Sequence, residues 1–348
     1  MPVTDGFVDA LLESPIGVTL LARLETRAMC PEGRTLVLDS TPDSVAAAVE
    51  AVERMSFGEL VEVAVLVGML DVGPWVPQAA DTAAAGYRHA HARAPIAECL
   101  DDRFATALHE PIARQAQQWW TTRDLPVDRL APLFRDYEQV YGAGQFSWAG
   151  LWTVTEPPDV AHEQLVDAWE LEGSPISRWR LPVLPEARVL EVHRPSDWAR
   201  LVMEHPRQAA SHEESWELPG WNQRRSELCV LIAVPNQRAA RTTMRRHLVP
   251  EWRSVADHYD GVHLSWAGFM TAEGCITDLA DGDVTMLRYW FSERTHWLAD
   301  VFGEPEPASA PVLPTRLAQR ASERPVDVRS DAERQRRDAL ALRRLLGR

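Results

Sequence analysis

The chain has 348 residues, 36 of them basic and every one of those arginine, against 51 acidic residues, for a net charge of −15. With no lysine, mechanisms built on an in-chain lysine are excluded: a pyridoxal or aldolase Schiff base, a lysyl nucleophile, a P-loop NTPase and a protein kinase. The surplus of acid argues against bulk nucleic-acid binding while leaving a local basic patch open, and any carboxylate or phosphate recognition must use planar guanidinium forks.

In chain order, Phe7, Leu11, Leu12, Ile16 and Leu20 recur at helical spacing, and Pro42-Asp43-Ser44 opens an alanine-rich segment running to Met55. Ser56-Phe57-Gly58-Glu59 is a capping-box pattern, which predicts a helix over the apolar run Leu60 to Leu70. Helices are predicted again over Val76 to Ala92 and Ile96 to Leu108, with Pro74, Pro77, Pro95 and Pro111 near their starts and stops. A short β-like piece, Thr35 to Leu38, interrupts the pattern.

Beyond Gly142 the β-branched and aromatic residues rise. Phe146 to Thr155 reads as a strand, Ala161 to Glu170 as a helix, and Arg188 to His193 as a strand feeding a helix capped at Ser196 and running to Glu204. Residues 206–226 read as a polar loop and Glu227 to Val234 as a buried strand; a basic stretch over 236–247 leads to a helix over Pro250 to His258. A four-strand meander is predicted next: Val262 to Thr271, Cys275 to Leu279, Val284 to Trp290 and Thr295 to Val301, joined by Gly- and Asp-bearing turns.

The class is therefore α+β: an N-terminal helical bundle over 1–140, an α+β domain containing an antiparallel sheet over 141–303, a linker over 304–330 and a C-terminal arginine-rich amphipathic helix over 331–348. That last helix suits docking on its own domain or on a second copy in a homodimer. Cys30, Cys99, Cys229 and Cys275 are far apart without metal-ligand spacing, and HExxH and a complete EF-hand loop are absent, so no metal is expected. No apolar run reaches the roughly 18 residues of a membrane span. The N-terminus carries acid where a signal peptide carries base, so a soluble, cytoplasmic protein is expected. Ser147-Trp148-Ala149-Gly150 recurs as Ser265-Trp266-Ala267-Gly268, which reads either as an old duplication or as a coincidence of composition.

Four stretches carry candidate chemistry. Arg238, Arg241 and Arg245, with Arg246 and His247, form a cationic run that suits an anionic ligand or a pairing with the acidic loop at Glu213-Glu214. His193 and Arg194 leave a strand end, with Asp197 and Trp198 just beyond, where a carboxylate or phosphate could bind or a helix simply begin. His263 and Ser265 share one strand face, while Trp266 points to the other. Trp290 and Trp297 flank Glu293 and Thr295, an arrangement for sandwiching an aromatic ligand or for plain cross-strand packing.

His193 and Arg194, then Ser265, then Glu293, in that order, resemble the three-part scheme of the ADP-ribosyltransferase family; the family's Ser-Thr-Ser triplet and Glu-x-Glu pair are not present. The resemblance implies a transferase that grips NAD, with His193, Ser265 and Glu293 catalytic and the arginines and tryptophans binding NAD or another nucleotide. The sequence expectation is thus a soluble enzyme for a nucleotide-like or other anionic ligand. The opposing expectation is a non-catalytic protein-interaction module presenting a Trp/Arg surface.

Overall fold

The computed structural model describes residues 6–30, 39–72, 79–121, 151–155, 177–208, 246–288, 290 and 292–308. All lie in one compact unit, Met1–Ala310. Several expectations fall outside the described residues: the β-like piece at 35–38, the domain boundary at 140, the first copy of the repeat, the helix at 161–170, the strand at 227–234, the arginines at 238, 241 and 245, most of the linker and the C-terminal helix.

The N-terminal part is helical: α1 (Phe7–Glu13), α2 (Pro15–Met29), α3 (Pro42–Arg54), α4 (Phe57–Leu66), α5 (Ala79–Arg88) and α6 (Ala94–Leu108). Local chemistry sets their starts. Ser14 Oγ accepts from Gly17 N–H at 2.8 Å and donates to the Met270 carbonyl at 2.6 Å, which pins the α1–α2 corner to a distant segment. Thr41 and Ser44 form a reciprocal capping box on α3, and Ser56 and Glu59 form another on α4.

Strands begin earlier than the sequence predicts. β1 (Gln117–Thr121) lies inside the stretch assigned to helices, and β2 (Leu151–Thr155), β3 (Ser177–Arg180) and β4 (Val189–Val192) follow. Helix α7 (Pro195–Glu204) is capped at Arg194 and not at Ser196, because Pro195 takes the first helical position. Next come β5 (Pro206–Gln208), β6 (Leu248–Pro250), the short α8 (Trp252–Ala256), β7 (Gly261–Leu264) and α9 (Trp266–Ala272). The last strands are β8 (Ile276–Asp278), β9 (Val284–Met286), β10 (Arg294–Trp297) and β11 (Glu306–Pro307).

The predicted meander is corrected on two counts. The segment Val262 to Thr271 is a short strand followed by a helix, because Ser265 Oγ accepts from Gly268 N–H at 3.2 Å and so caps α9. Gly268 allows that helix to lie on β4: a Cβ there would stand 2.2 Å from the Val192 carbonyl oxygen. Among the described residues the remaining strands also separate, since β8 and β9 form a two-stranded sheet while β10 enters a seven-stranded sheet of order β11-β3-β1-β2-β10-β7-β4. That sheet is mixed, with β4 and β7 parallel and the other pairs antiparallel.

Strand alternation divides the core between the two sheet faces. Leu190, Val192, Val262 and Leu264 join the helices in the larger apolar cluster, whereas Leu151, Trp119 and Trp297 join Leu181, Val183 and Ala187 in a smaller one. Trp290 belongs to the first cluster and Trp297 to the second, so the two rings do not face each other across a ligand slot.

His296 is an exception within this packing. It is buried, stacked on Trp152 at 4.4 Å and edge-on to Trp252, and neither ring nitrogen has a hydrogen-bond partner among the described residues. Burial pushes its pKa down to about 3. A histidine depressed in the fold leaves stability intact above its unfolded value and removes it as pH falls from about 6.5 toward 3. His296→Phe should therefore raise the thermal midpoint, and by more at pH 5 than at pH 8. Thermal denaturation at the two pH values tests this; an equal shift at both, or a fall, would refute the account.

Candidate functional site

A cleft of about 470 Å³ opens beside β4, with its walls from α1, the end of α6, β4 itself and the start of α7. Glu191 and His193 line it from the strand, His109 from the helix end, and Arg194, Asp197 and Arg200 from α7 and its cap. Asp197 organises the mouth. Its Oδ2 accepts the His193 backbone N–H at 3.0 Å, and its carboxylate lies 3.7 Å from Arg194 and 3.5 Å from Arg200. Both guanidinium groups are about half exposed at the cleft mouth.

His193 Nδ1 lies 2.9 Å from Ser265 Oγ. Burial lowers the pKa of this imidazole; the nearby Glu191 and Asp197 carboxylates oppose that and do not overcome it. Ser265 is itself buried and occupied with capping α9.

Behind Glu191 runs a line of polar side chains across the sheet. Register places Glu191 opposite His263, His263 opposite Thr295, and Thr295 opposite Thr153. The buried His263 sits between two carboxylates, with Nδ1 2.5 Å from Glu191 Oε2 and Nε2 2.9 Å from Glu293 Oε1. Burial alone would depress its pKa, yet hydrogen bonds to both carboxylates override this and hold it up to about 9. An imidazolium with both ring N–H groups donating follows.

The line continues with a consistent donor direction. Thr155 donates to Glu293 through Oγ1 at 2.8 Å and through its backbone N–H at 3.2 Å, and Gln117 Nε2 donates to Thr155 Oγ1 at 3.1 Å. Thr153 donates to Gln117, and Trp297 Nε1 to Thr153 at 2.8 Å. At the cleft end, Glu191 Oε1 accepts the Ile112 backbone N–H at 3.1 Å. Each Glu191 oxygen thus has one protein donor and the capacity to accept another, on a side chain that lines the cleft.

The sequence-predicted residues divide accordingly. His193 and Arg194 line the cleft, Ser265 touches it through His193, and His263 and Glu293 stand one and two steps behind Glu191. Trp198, Trp266 and Trp290 are buried, and Trp198 donates its indole N–H to Thr285 Oγ1 at 3.1 Å. Arg246 is spent on a forked pair with Asp283. Sequence reasoning missed Glu191, Arg200 and His109. A usable signal existed for the first: a lone acid in the strand Val189-Leu190-Glu191-Val192 and a histidine in Val262-His263-Leu264 are the same break in two apolar runs.

Among the described residues no group of side chains could hold a metal ion, and no helix is long and apolar enough to cross a membrane. Comparison with known protein families, curated proteins and solved structures found no match to the chain.

Proposed function

We propose that the chain is an enzyme that holds an anionic substrate between Arg194 and Arg200 and moves a proton with the neutral imidazole of His193 as general base. The observation that carries this reading is the fixed orientation of that imidazole. Its Nδ1 is engaged by Ser265, while Nε2 has no hydrogen bond among the described residues and belongs to a side chain lining the cleft. Burial favours the neutral, basic form. Ser265 serves to orient the ring, since its oxygen is committed to Gly268. Glu191 offers a placed acceptor for a hydroxyl or cationic group of the substrate.

An NAD-like nucleotide suits the two forks through its pyrophosphate. In an ADP-ribosyl transfer the carboxylate that meets the ribose would be Glu191, because Glu293 is buried and turned toward His263 and Thr155. The second reading, a non-catalytic interaction module, draws support from β4 being an edge strand among the described residues and not from the buried tryptophans.

The test is ligand-induced thermal shift with inorganic phosphate, acetate, citrate, NAD and mononucleotides, on wild type and the Arg194→Ala/Arg200→Ala double variant. At a hundred times its Kd a ligand adds about 2.7 kcal/mol of apparent stability. At least one anion should raise the wild-type midpoint, and the double variant should lose that rise. A wild type indifferent to every anion, or a variant that responds equally, would sink the reading.

A further inference from the structure

We infer that the cleft takes a phosphoryl group between the Nε2 atoms of His109 and His193, and that the two imidazoles share one proton across it. The inference rests on the reading of His193 as the base of the cleft; it adds His109 as the acid that partners it and names the group on which the pair acts. Two element ends meet here. His109 is the cap residue after α6, His193 follows the last residue of β4, and both line the cleft half-buried. Their ring centroids lie 5.9 Å apart with the planes inclined at 46°. Phe7 of α1 packs against the His109 ring in a T-shaped contact at 5.6 Å and holds it from the other side.

Hydrogen bonding sets the same tautomer in both rings. His109 Nδ1 lies 3.0 Å from the Ala105 carbonyl, which can only accept, so Nδ1 carries a hydrogen. His193 Nδ1 lies 2.9 Å from Ser265 Oγ, whose own hydrogen is directed at the Val192 carbonyl at 3.4 Å while the oxygen accepts from the Gly268 N–H. That hydroxyl therefore accepts from His193, and here too Nδ1 is the donor. With Nδ1–H engaged in both rings, the proton that comes and goes sits at Nε2, and Nε2 is the atom each ring offers to a ligand in the cleft.

Two imidazolium groups this close repel, so the pair holds one proton and the other ring stays basic. Burial is the first cause that lowers the pKa of His193; the charges on His263 and His109 act the same way, and those on Glu191 and Asp197 oppose them. Arg194 and Arg200 are the other charged groups lining the cleft among the described residues. A ligand that meets one donating and one accepting Nε2 must bring both an ionised oxygen and a hydroxyl. Hydrogen phosphate has both on one tetrahedral centre: an ionised oxygen accepts from the imidazolium, and the O–H donates to the neutral ring. A carboxylate or sulfate ion can only accept, so it satisfies one ring and leaves the other facing an oxygen lone pair.

The experiment uses the full chain with isotope-labelled histidine and two probes, inorganic phosphate and sulfate, at pH 7. Long-range proton–nitrogen spectra of the free protein should show His109 and His193 with the hydrogen on Nδ1, and phosphate should move the Nε2 signals of both. Calorimetry should show phosphate bound at least about tenfold, or about 1.4 kcal/mol, more tightly than sulfate. His109→Ala should bring phosphate down to the sulfate level. The spectra and the comparison of the two anions need only the wild type, so misfolding of the variant cannot decide the result.

Phosphate and sulfate bound alike, or an Nε2 response from only one of the two rings, overturns the proposal and leaves an anion-binding cleft standing. A hydrogen on Nε2 in either free ring, or a phosphate preference that survives in a folded His109→Ala variant, overturns it as well. Binding of neither probe overturns both the pair and the reading of the cleft on which it rests.

Discussion

His263→Ala is expected to lower stability by about 3–5 kcal/mol, the usual result of removing one partner from a buried charge group. The substitution leaves Glu191 and Glu293 facing one another across the space the imidazolium occupied. The sign of the pH dependence follows from the raised histidine. Its contribution is complete below the unfolded value of about 6.5 and is lost as pH rises toward about 9. The gap between wild type and variant, read by urea denaturation, should therefore be widest near pH 6 and narrower at pH 9.5. Adding Glu293→Gln to the variant should recover part of the loss, since it removes one of the two facing carboxylates. A gap independent of pH, or no recovery, would refute the charge assignment. The two histidines act in opposite directions: the burial of His296 costs stability as pH falls below about 6.5, and the contribution of His263 is lost as pH rises above it.

A comparable loss is expected in the helical half. Arg93 and Glu25 are both fully buried and joined at 2.7 Å, with Ser40 and Ser44 completing the carboxylate and Gly86 accepting from the guanidinium at 3.2 Å. Burial works to raise the Glu25 pKa, but the bonds from Ser44, Arg93 and Ser40 outweigh it and hold the group below its usual value. That stability is present above the unfolded carboxyl value and disappears as pH falls through the folded one. Arg93→Met should cost about 3–5 kcal/mol at pH 7, because the carboxylate is left buried and unneutralised. Near pH 4 the deficit should shrink as Glu25 takes a proton. The double variant Arg93→Met/Glu25→Leu should return close to wild type, apolar replacements of buried pairs being often neutral. Chemical denaturation of the wild type and the two variants checks this. A double variant no better than the single one would show that the pair specifies the packing of α2 and α3 instead of merely neutralising itself.

Local signals were legible where one residue settles a local geometry. Ser56 and Glu59 announced the start of α4 because both halves of a capping box are written within four residues, and the apolar alternation of Val189 to Val192 announced β4. The misread segments are those where a distant partner decides. Ser265 to Thr271 has strand-like bulk, yet the Ser265 hydroxyl and the Gly268 approach to Val192 make a helix there, and that contact joins residues far apart in sequence. β1 lies inside the stretch read as a helical bundle, beyond its last predicted helix, where no strand was expected. Gln117 is fixed by Thr153, Thr155 and Thr295, residues on strands well downstream.

The candidate site was half legible for the same reason. His193, Arg194, Ser265 and Glu293 stood out by type and position, but the carboxylate that reaches the cleft, Glu191, acquires meaning only when His263 is placed beside it. The tryptophans drew attention by number, and packing places Trp198, Trp266 and Trp290 in the interior.

The pairing of β2 with β10 has a consequence for how the molecule forms. Thr153 and Trp297 meet although 144 residues separate them, and Gln117 reaches Thr295 over 178. Contacts this distant are closed late, since the chain must lose loop entropy before they return any stabilisation. Before β10 docks against β7, His263 has only one of its two carboxylates beside it. The charge on that imidazole is then a property of the closed sheet, and the Glu191 wall of the cleft acquires its final electrostatics only when β10 is in place.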